Sequence, residues 1–270
     1  MSASRVPRSP SPPGVAVCFR HDAVPPIAPV SGAAVTHERL HLTAADGADF
    51  VAFEALSDSP GRAAGIVILP DVRGLFTFYE ELALRFAEIG YDAVAIDYFG
   101  RTADDPPRPA DFDWTDDISA TTQEGIRRDV AAAIARLRRD NSGRKIFTIG
   151  FCFGGSNSWQ QAANGHGLSG AIGFYGNPIR EGVPRGAPGV ASRASEMECP
   201  ILALMAGADP GIPPGLVHEF QLALDAAGVE SEVVTYAGAP HSFFDRDFDA
   251  YAADSADAWE RVQTFIAANE

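Results

Sequence analysis

The stretch 145–155 constrains the fold of this chain more than any other part of the sequence. An apolar run rich in β-branched residues ends in Gly-x-Cys-x-Gly-Gly, and the residues that follow are suited to begin a helix. This pattern is that of a nucleophile elbow, a sharp strand-to-helix turn that lifts a nucleophile, here Cys152, clear of a sheet. Gly150 and Gly154 fit the turn because a Cβ there would collide with the adjacent backbone. The alternative is a buried structural cysteine in a glycine-rich turn, and the motif alone does not decide between this and a nucleophile.

The rest of the chain alternates between predicted strands and helices. Two stretches of alternating hydrophobicity, Val35–Thr43 and 50–56, flank Asp46-Gly47 and predict a β-hairpin. The continuous apolar run Gly65–Leu69 is typical of a strand buried on both faces of a parallel sheet. Further strands are predicted at Asp92–Ile96, 145–149, 171–175, 201–205 and 232–236, and helices at Thr77–Glu88, 121–139, 155–164, 216–227 and 250–267. This order predicts an α/β fold with one doubly wound, mostly parallel sheet of about eight strands and helices on both faces.

The same survey divides the chain into two parts. Residues 1–33 are rich in Pro and Ser and show no periodicity, so we expect this N-terminal segment to be at least partly disordered. Residues 34–270 form the predicted α/β domain. Two Gly/Pro-rich segments within it, 100–119 and 177–198, are predicted to run over its surface. Whether 14–33 packs over the active site is left open.

Composition excludes several classes of function. A net charge of −15 disfavours binding to nucleic acid or to an anionic membrane surface, and no apolar run is long enough to span a bilayer. Three cysteines form no even-numbered disulfide framework, which favours a reducing, cytoplasmic location. Cys18 and His21 have the spacing of metal ligands, but no second pair completes a site. We therefore expect neither a metal nor a cofactor.

Two polar residues follow the last two predicted strands and complete a catalytic arrangement with Cys152. Asp209 follows the strand 201–205, and His241 follows the strand 232–236. Carboxyl ends of parallel strands share one edge of the sheet, where ligands bind. The order Cys…Asp…His is that of nucleophile-elbow hydrolases and differs from other triad enzymes. We predict that His241 withdraws the thiol proton and that Asp209 fixes the tautomer of His241.

Catalysis at a carbonyl also needs two N–H groups that bind the developing oxyanion. We predict the backbone N–H of Phe153, directly after the nucleophile, and that of Val72, in the loop after the strand Gly65–Leu69. Asp71 in that loop has two interpretations, a turn-stabilising residue or a carboxylate near the thiol. Tyr175 and Phe243 each fit either the pocket wall or the core.

These motifs together resemble the dienelactone hydrolase family, the carboxymethylenebutenolidases. The resemblance lies in Gly-Phe-Cys-Phe-Gly-Gly at 150–155, in Asp209, and in Gly-x-x-His-Ser-Phe at 238–243, and it extends over about residues 40–266. It implies an α/β-hydrolase fold and hydrolysis of a small ester or unsaturated lactone through an acyl-cysteine intermediate. It implies no cofactor.

The resemblance also implies roles for residues outside the triad. The family's thiol-contacting carboxylate falls on Asp71, although the family commonly has the longer Glu there. One of the arginines that bind the substrate's carboxylate falls on Arg101. The position of the second is occupied by Asp245, with Arg246 next in sequence. The implied partner is a small-molecule ester or lactone that carries a carboxylate, bound by a monomer or a homodimer.

Two other functions remain open at this point. One is a carboxylesterase or thioesterase of broad specificity, which the same triad would serve. The other is a binding module that retains the hydrolase fold with little or no catalysis. The complete Cys152, Asp209 and His241 set favours an enzyme.

Overall fold

The computed structural model describes residues 23–58, 64–245 and 249–270. Eight strands form a single sheet: β1 (Val35–Thr43), β2 (Asp49–Ser57), β3 (Gly65–Leu69), β4 (Asp92–Ile96), β5 (Ile146–Phe151), β6 (Gly170–Phe174), β7 (Ile201–Ala206) and β8 (Ser231–Tyr236). The helices are α1 (Thr77–Glu88), α2 (Thr115–Ala120), α3 (Gln123–Leu137), α4 (Phe153–Gln161), α5 (Pro214–Ala227) and α6 (Ala252–Ala268), with a 3₁₀ helix at Ala191–Glu196. No helix in these ranges is both long enough and apolar enough to cross a membrane.

The sheet has the strand order β1-β2-β4-β3-β5-β6-β7-β8. β2 runs antiparallel to both of its neighbours, β1 and β4, and the remaining pairs are parallel. The predicted fold class is therefore confirmed. Most of the N-terminal segment 1–33 lies outside the described residues, so its predicted disorder stays a prediction.

Two hydrophobic layers cover the sheet, one on each face. In β3, Ile66 and Ile68 point into one layer, while Val67 and Leu69 point into the other. The first layer includes residues of α1 and α6: Phe78, Leu82, Phe86, Val262 and Ile266. The second includes residues of α3, α4 and α5: Ile126, Val130, Ile134, Leu137, Trp159, Phe220 and Leu224. Burial on both faces explains why the central strands are apolar at every position instead of at alternate ones.

The structure differs from the predicted boundaries mainly around Cys152. β5 continues two residues beyond the predicted end at 149, and α4 begins at Phe153 instead of 155. Phe151 still pairs with Phe174 of β6, so the strand persists up to the residue before the cysteine. Cys152 is consequently the only residue between strand and helix, which makes the turn tighter than the hydrophobic pattern indicates.

The segment 100–119 is more ordered than its composition indicates. It contains α2, and a buried ion pair attaches it to the sheet. Arg108 donates to both carboxylate oxygens of Asp97, at 3.0 and 2.7 Å. Asp97 follows β4 and also accepts a hydrogen bond from the backbone N–H of Leu75, at 3.1 Å. One buried carboxylate therefore holds this segment and the end of the loop after β3.

Replacement of Arg108 by Ala is expected to destabilise the protein by about 3–5 kcal/mol, because it leaves the Asp97 carboxylate buried without its guanidinium. Arg127→Ala is the matched control, since Arg127 pairs with Glu124 at the surface and such pairs contribute at most about 1 kcal/mol. Urea unfolding of both variants measures the difference. Equal, small losses of stability in the two variants would show that the Arg108–Asp97 pair does not secure the segment 100–119.

Candidate active site

The turn at Cys152 depends on close contact between backbone segments. Cys152 has φ 54° and ψ −114°, a conformation that costs energy for a residue with a side chain. A Cβ on Gly150 would lie 1.9 Å from the carbonyl oxygen of Gly154, and one on Gly154 would lie 2.0 Å from that of Leu69. Only glycine fits at either position, as the sequence predicts.

Asp209 and His241 meet because the loops after β7 and β8 are hydrogen-bonded to each other. The N–H of Gly207 donates to the carbonyl of Tyr236, and that of Ala208 donates to the carbonyl of Ala239, each at 2.9 Å. His241 Nδ1 then lies 2.5 Å from Asp209 Oδ2. This short hydrogen bond to a carboxylate orients the imidazole, as in a Ser-His-Asp type of triad.

Asp209 lies in an environment that favours its ionised form. Burial raises the pKa of this carboxyl. The hydrogen bond with His241, and those from the backbone N–H groups of Gly211 and Ile212, outweigh that effect, so the pKa lies below its ordinary value. The Gly211 N–H lies 2.7 Å from Asp209 Oδ1. Asp209 is therefore a carboxylate at neutral pH, as the orienting member of a triad must be.

Cys152, Asp209 and His241 line one cavity of about 490 Å³. The cavity lies at the carboxyl end of the parallel strands, where the sequence places the site. The other described residues of its wall are Val72, Phe153, Ser156, Tyr175, Asn177, Arg180, Val183, Gly211 and Ile212. The three predicted triad residues thus share a space that accommodates a small molecule.

Val72 and Phe153, the two predicted oxyanion donors, both line this cavity. Phe153 begins α4, so its N–H has no partner within the helix. In the described part of the chain, neither this N–H nor that of Val72 donates a hydrogen bond. Two backbone donors beside the nucleophile therefore remain available to a ligand.

Asp71 is fully buried in the loop that carries Val72. Its Oδ1 accepts a hydrogen bond from the backbone N–H of Arg73 at 2.9 Å, and its own N–H donates to the hydroxyl oxygen of Tyr79 at 2.9 Å. These contacts are those of the turn-stabilising interpretation. They fix the backbone on either side of Val72. Contact with the thiol stays a prediction.

The two aromatic candidates take different places. Tyr175 lines the cavity, and its ring centroid lies 5.0 Å from that of His241. Its hydroxyl donates to Asp245 Oδ2 at 2.9 Å. Phe243 is fully buried against Tyr175 and Tyr236, and the described residues of the cavity wall do not include it. It supports the wall from behind as a core residue.

One of the two arginine candidates lies away from the cavity wall, and the other is not among the described residues. Arg101 donates to Asp46 at 2.8 Å and to Asp129 at 2.7 Å, and it is not among the described residues that line the cavity. Two carboxylates already neutralise its charge, which explains why the structure does not bring it to the site. Arg246 lies outside the described residues.

Sequence reasoning did not single out several residues of the wall, among them Ser156, Asn177 and Val183. Asn177 and Val183 belong to the segment 177–198, which follows β6. β6 pairs with β5, which carries the elbow. Loops at the carboxyl ends of adjacent parallel strands share one edge of the sheet. The position of the segment 177–198 after β6 could therefore have predicted that it lines the cavity.

No group of three or more His, Cys, Asp or Glu residues in the described ranges is arranged to hold a metal ion.

Comparison with known proteins identifies relatives over most of the chain. The model of the dienelactone hydrolase family matches residues 50–269. A protein named "putative carboxymethylenebutenolidase" from Methylorubrum extorquens is 24% identical over 80% of this chain and 75% of its own length. A "probable 2-oxo-3-(5-oxofuran-2-ylidene)propanoate lactonase" from a Bradyrhizobium species is 24% identical over 82% of this chain and 90% of its own length.

Solved structures show the same fold. A crystal structure named "putative dienelactone hydrolase", from Klebsiella pneumoniae subsp. pneumoniae, superimposes with a TM-score of 0.78 at 24% identity. The match covers 87% of this chain and 99% of that one. The agreement extends over the α/β architecture that positions the cavity.

Gly150→Ala is expected to abolish the native elbow, because the added methyl would lie 1.9 Å from a carbonyl oxygen. The matched control is Gly215→Ala in the first turn of α5, where an added Cβ meets nothing within 4 Å. Thermal unfolding should show a large loss of stability for the first variant and none for the second. A stable Gly150→Ala protein with an unchanged fold would contradict the steric account.

Asp209→Asn is expected to lower ester hydrolysis by about 10³–10⁴-fold, because an amide favours the wrong tautomer of the base. It should also remove a pH-dependent part of stability. The folded-state pKa of Asp209 lies below its ordinary value of 3.8, so its ionised form stabilises the fold above that pH.

This contribution is lost as the pH falls through the folded-state pKa. The difference in Tm between wild type and Asp209→Asn should therefore be present at pH 7 and shrink below about pH 4. Thermal denaturation from pH 7 to pH 3 measures it. A constant difference would show that the carboxylate is not favoured by the fold.

Proposed function

The chain belongs to the dienelactone hydrolase family and is a hydrolase of ester or lactone bonds, and we propose that it acts through a covalent acyl-cysteine intermediate on Cys152. The observation that carries the proposal is the shared cavity. Cys152 on its elbow faces the same space as His241, which Asp209 orients at 2.5 Å. This arrangement supports nucleophilic catalysis in preference to binding alone.

In the proposed acylation step, His241 accepts the thiol proton and the sulfur of Cys152 attacks the carbonyl carbon of the substrate. A carbon–sulfur bond forms and the carbonyl oxygen becomes an oxyanion. The N–H groups of Phe153 and Val72 stabilise it, and removal of one such donor typically costs about 10²–10³-fold in rate. Collapse of the intermediate breaks the ester bond, and the leaving oxygen takes the proton from His241.

In the proposed deacylation step, a water molecule attacks the thioester. His241 accepts a proton from the water and passes it to the sulfur as the carbon–sulfur bond breaks. The product leaves as a carboxylic acid, which loses its proton to the solvent, and the thiol of Cys152 is restored. For a lactone, the leaving group and the acyl group are parts of one molecule, so a single open-chain acid is released.

The proposed substrate is a small enol-lactone or ester that carries a carboxylate. The cavity of about 490 Å³ suits a compact molecule. The Bradyrhizobium relative is named for a lactone whose ring is joined to a propanoate, so one family member is described as acting on a carboxylate-bearing lactone. This supports a lactone, and a broader carboxylesterase is the alternative outcome of the substrate test.

We also propose a cytoplasmic location. The mechanism needs Cys152 as a free thiol, and reducing compartments maintain free thiols. Among the described cysteines, neither Cys152 nor Cys199 forms a disulfide.

Cys152→Ala is expected to reduce hydrolysis by at least about 10³-fold, because it removes the nucleophile. Iodoacetamide should inactivate the wild type and alkylate Cys152 before Cys199. Burial raises the pKa of Cys199 to about 12, so its unreactive thiol form persists. Cys199→Ala is the control and should retain activity.

Peptide mapping by mass spectrometry identifies the alkylated cysteine, and the rate of p-nitrophenyl ester hydrolysis measures the activity. Full activity in Cys152→Ala would refute the acyl-cysteine mechanism. Comparison of an enol-lactone with a p-nitrophenyl ester as substrates separates a lactonase from a broad esterase. Faster turnover of the lactone supports the proposed substrate class.

A further inference from the structure

Arg180 is the only arginine or lysine among the described residues that line the cavity. It is exposed, so its guanidinium reaches the solvent at the cavity wall. Arg180 belongs to the segment 177–198 and not to a position where the family resemblance implies an arginine. Its presence in the same cavity as Cys152 therefore has to be explained from the structure of this chain.

The loop that carries Arg180 is attached directly to the elbow helix. Asn177 Oδ1 accepts hydrogen bonds from the backbone N–H groups of Ile179 and Arg180, at 3.1 and 3.0 Å. The hydroxyl of Ser156 donates to the carbonyl of Asn177 at 2.9 Å. Ser156 lies in the first turn of α4, four residues after Cys152. The backbone of Arg180 is thus held in a fixed relation to the nucleophile.

The charge of Arg180 is not neutralised within the described part of the chain, where no carboxylate forms an ion pair with it. Arg101 differs, because it binds both Asp46 and Asp129. The hydrogen bonds that Arg101 donates to these two carboxylates, at 2.8 and 2.7 Å, engage its guanidinium within the fold. Arg101 is occupied by this cluster, whereas Arg180 is available to a ligand.

The cavity offers an anion no other cationic arginine or lysine among its described residues. The one carboxylate among the described residues of the wall, that of Asp209, is engaged with His241. The chain as a whole carries a net charge of −15, so its surface in general repels anions. Arg180 supplies a local positive charge in the wall of the cavity, and a guanidinium suits a carboxylate because it donates two parallel hydrogen bonds.

We infer that Arg180 binds a carboxylate of the substrate and sets a preference for anionic esters or lactones over neutral ones. The inference rests on the proposed function and deepens it, since it assigns substrate recognition to the segment 177–198. Arg180 fixes the far end of the substrate while Cys152 attacks the carbonyl. Such an anchor acts on the ground state and the transition state alike, so it lowers KM more than it raises kcat.

Arg180→Gln tests the inference with two matched substrates, mono-p-nitrophenyl glutarate and p-nitrophenyl valerate. The ratio of kcat/KM for the anionic ester to that for the neutral ester should fall on the order of tenfold, because one exposed, charge-assisted interaction is lost. The loss should appear as a higher KM for the glutarate ester. Arg180→Lys should keep part of the preference, and added salt should weaken it in the wild type.

Arg185→Gln is the matched control. Arg185 lies in the same segment and is exposed, but it is not among the described residues that line the cavity. Its replacement changes the net charge of the protein by the same amount and should leave the substrate ratio unchanged. An equal fall in both variants would assign the preference to overall charge and would overturn the inference.

A second measurement does not depend on catalysis. Iodoacetate and iodoacetamide alkylate Cys152 by the same displacement of iodide, and they differ in the carboxylate. Arg180→Gln should lower the ratio of the iodoacetate rate to the iodoacetamide rate, whereas Arg185→Gln should not. The contrary result is that Arg180→Gln leaves both the substrate ratio and the alkylation ratio unchanged while Cys152-dependent ester hydrolysis persists. That result would refute the role of Arg180, and the hydrolase mechanism would stand. If no ester is hydrolysed, the alkylation ratio alone still decides whether Arg180 attracts a carboxylate.

Discussion

The close approach of backbone to backbone around Cys152 is the constraint on which the site depends. Gly150, Gly154 and Gly155 lie where an added Cβ would come within 2.5 Å of a carbonyl oxygen. Their absence of side chains lets α4 begin one residue after the nucleophile, between β3 and β6. Cys152 consequently stands at the carboxyl edge of the sheet, with the first N–H of the helix beside it. A looser turn would bury the sulfur, or move it away from the carboxyl edge of the sheet and from the first N–H of α4.

The other groups of the site are positioned by hydrogen bonds between loops that the sheet brings together. Backbone bonds join the loops after β7 and β8, and they place His241 against Asp209. Asp97 binds Leu75 and Arg108 and so holds the end of the loop that carries Val72. The chemistry is thus supported by rigid strand ends and by a few buried polar contacts, an arrangement that keeps a catalytic geometry in place.

The proposed roles divide recognition and chemistry between different parts of the chain. The triad residues follow strands of the sheet, whereas Arg180 lies in a segment between two of them. Ion pairs within the fold occupy Arg101, and the buried Asp245 accepts a hydrogen bond from Tyr175. Loops tolerate changes of residue because they lie outside the packed core. The residues that set substrate preference can therefore change while the nucleophile and its base stay in place.

The sequence alone determined the α/β architecture, the elbow and the order of the triad, because each depends on local pattern: apolar runs, glycine spacing and polar residues that follow strands. It also predicted Phe153 and Val72 as oxyanion donors from their places after strand ends, and both line the cavity. Only the tertiary structure decided which side chains converge. Ion pairing removed Arg101 from the cavity, and the attachment of Asn177 to α4 brought Arg180 to it. Such partners are distant in sequence, and no local pattern records which one a charged side chain will meet.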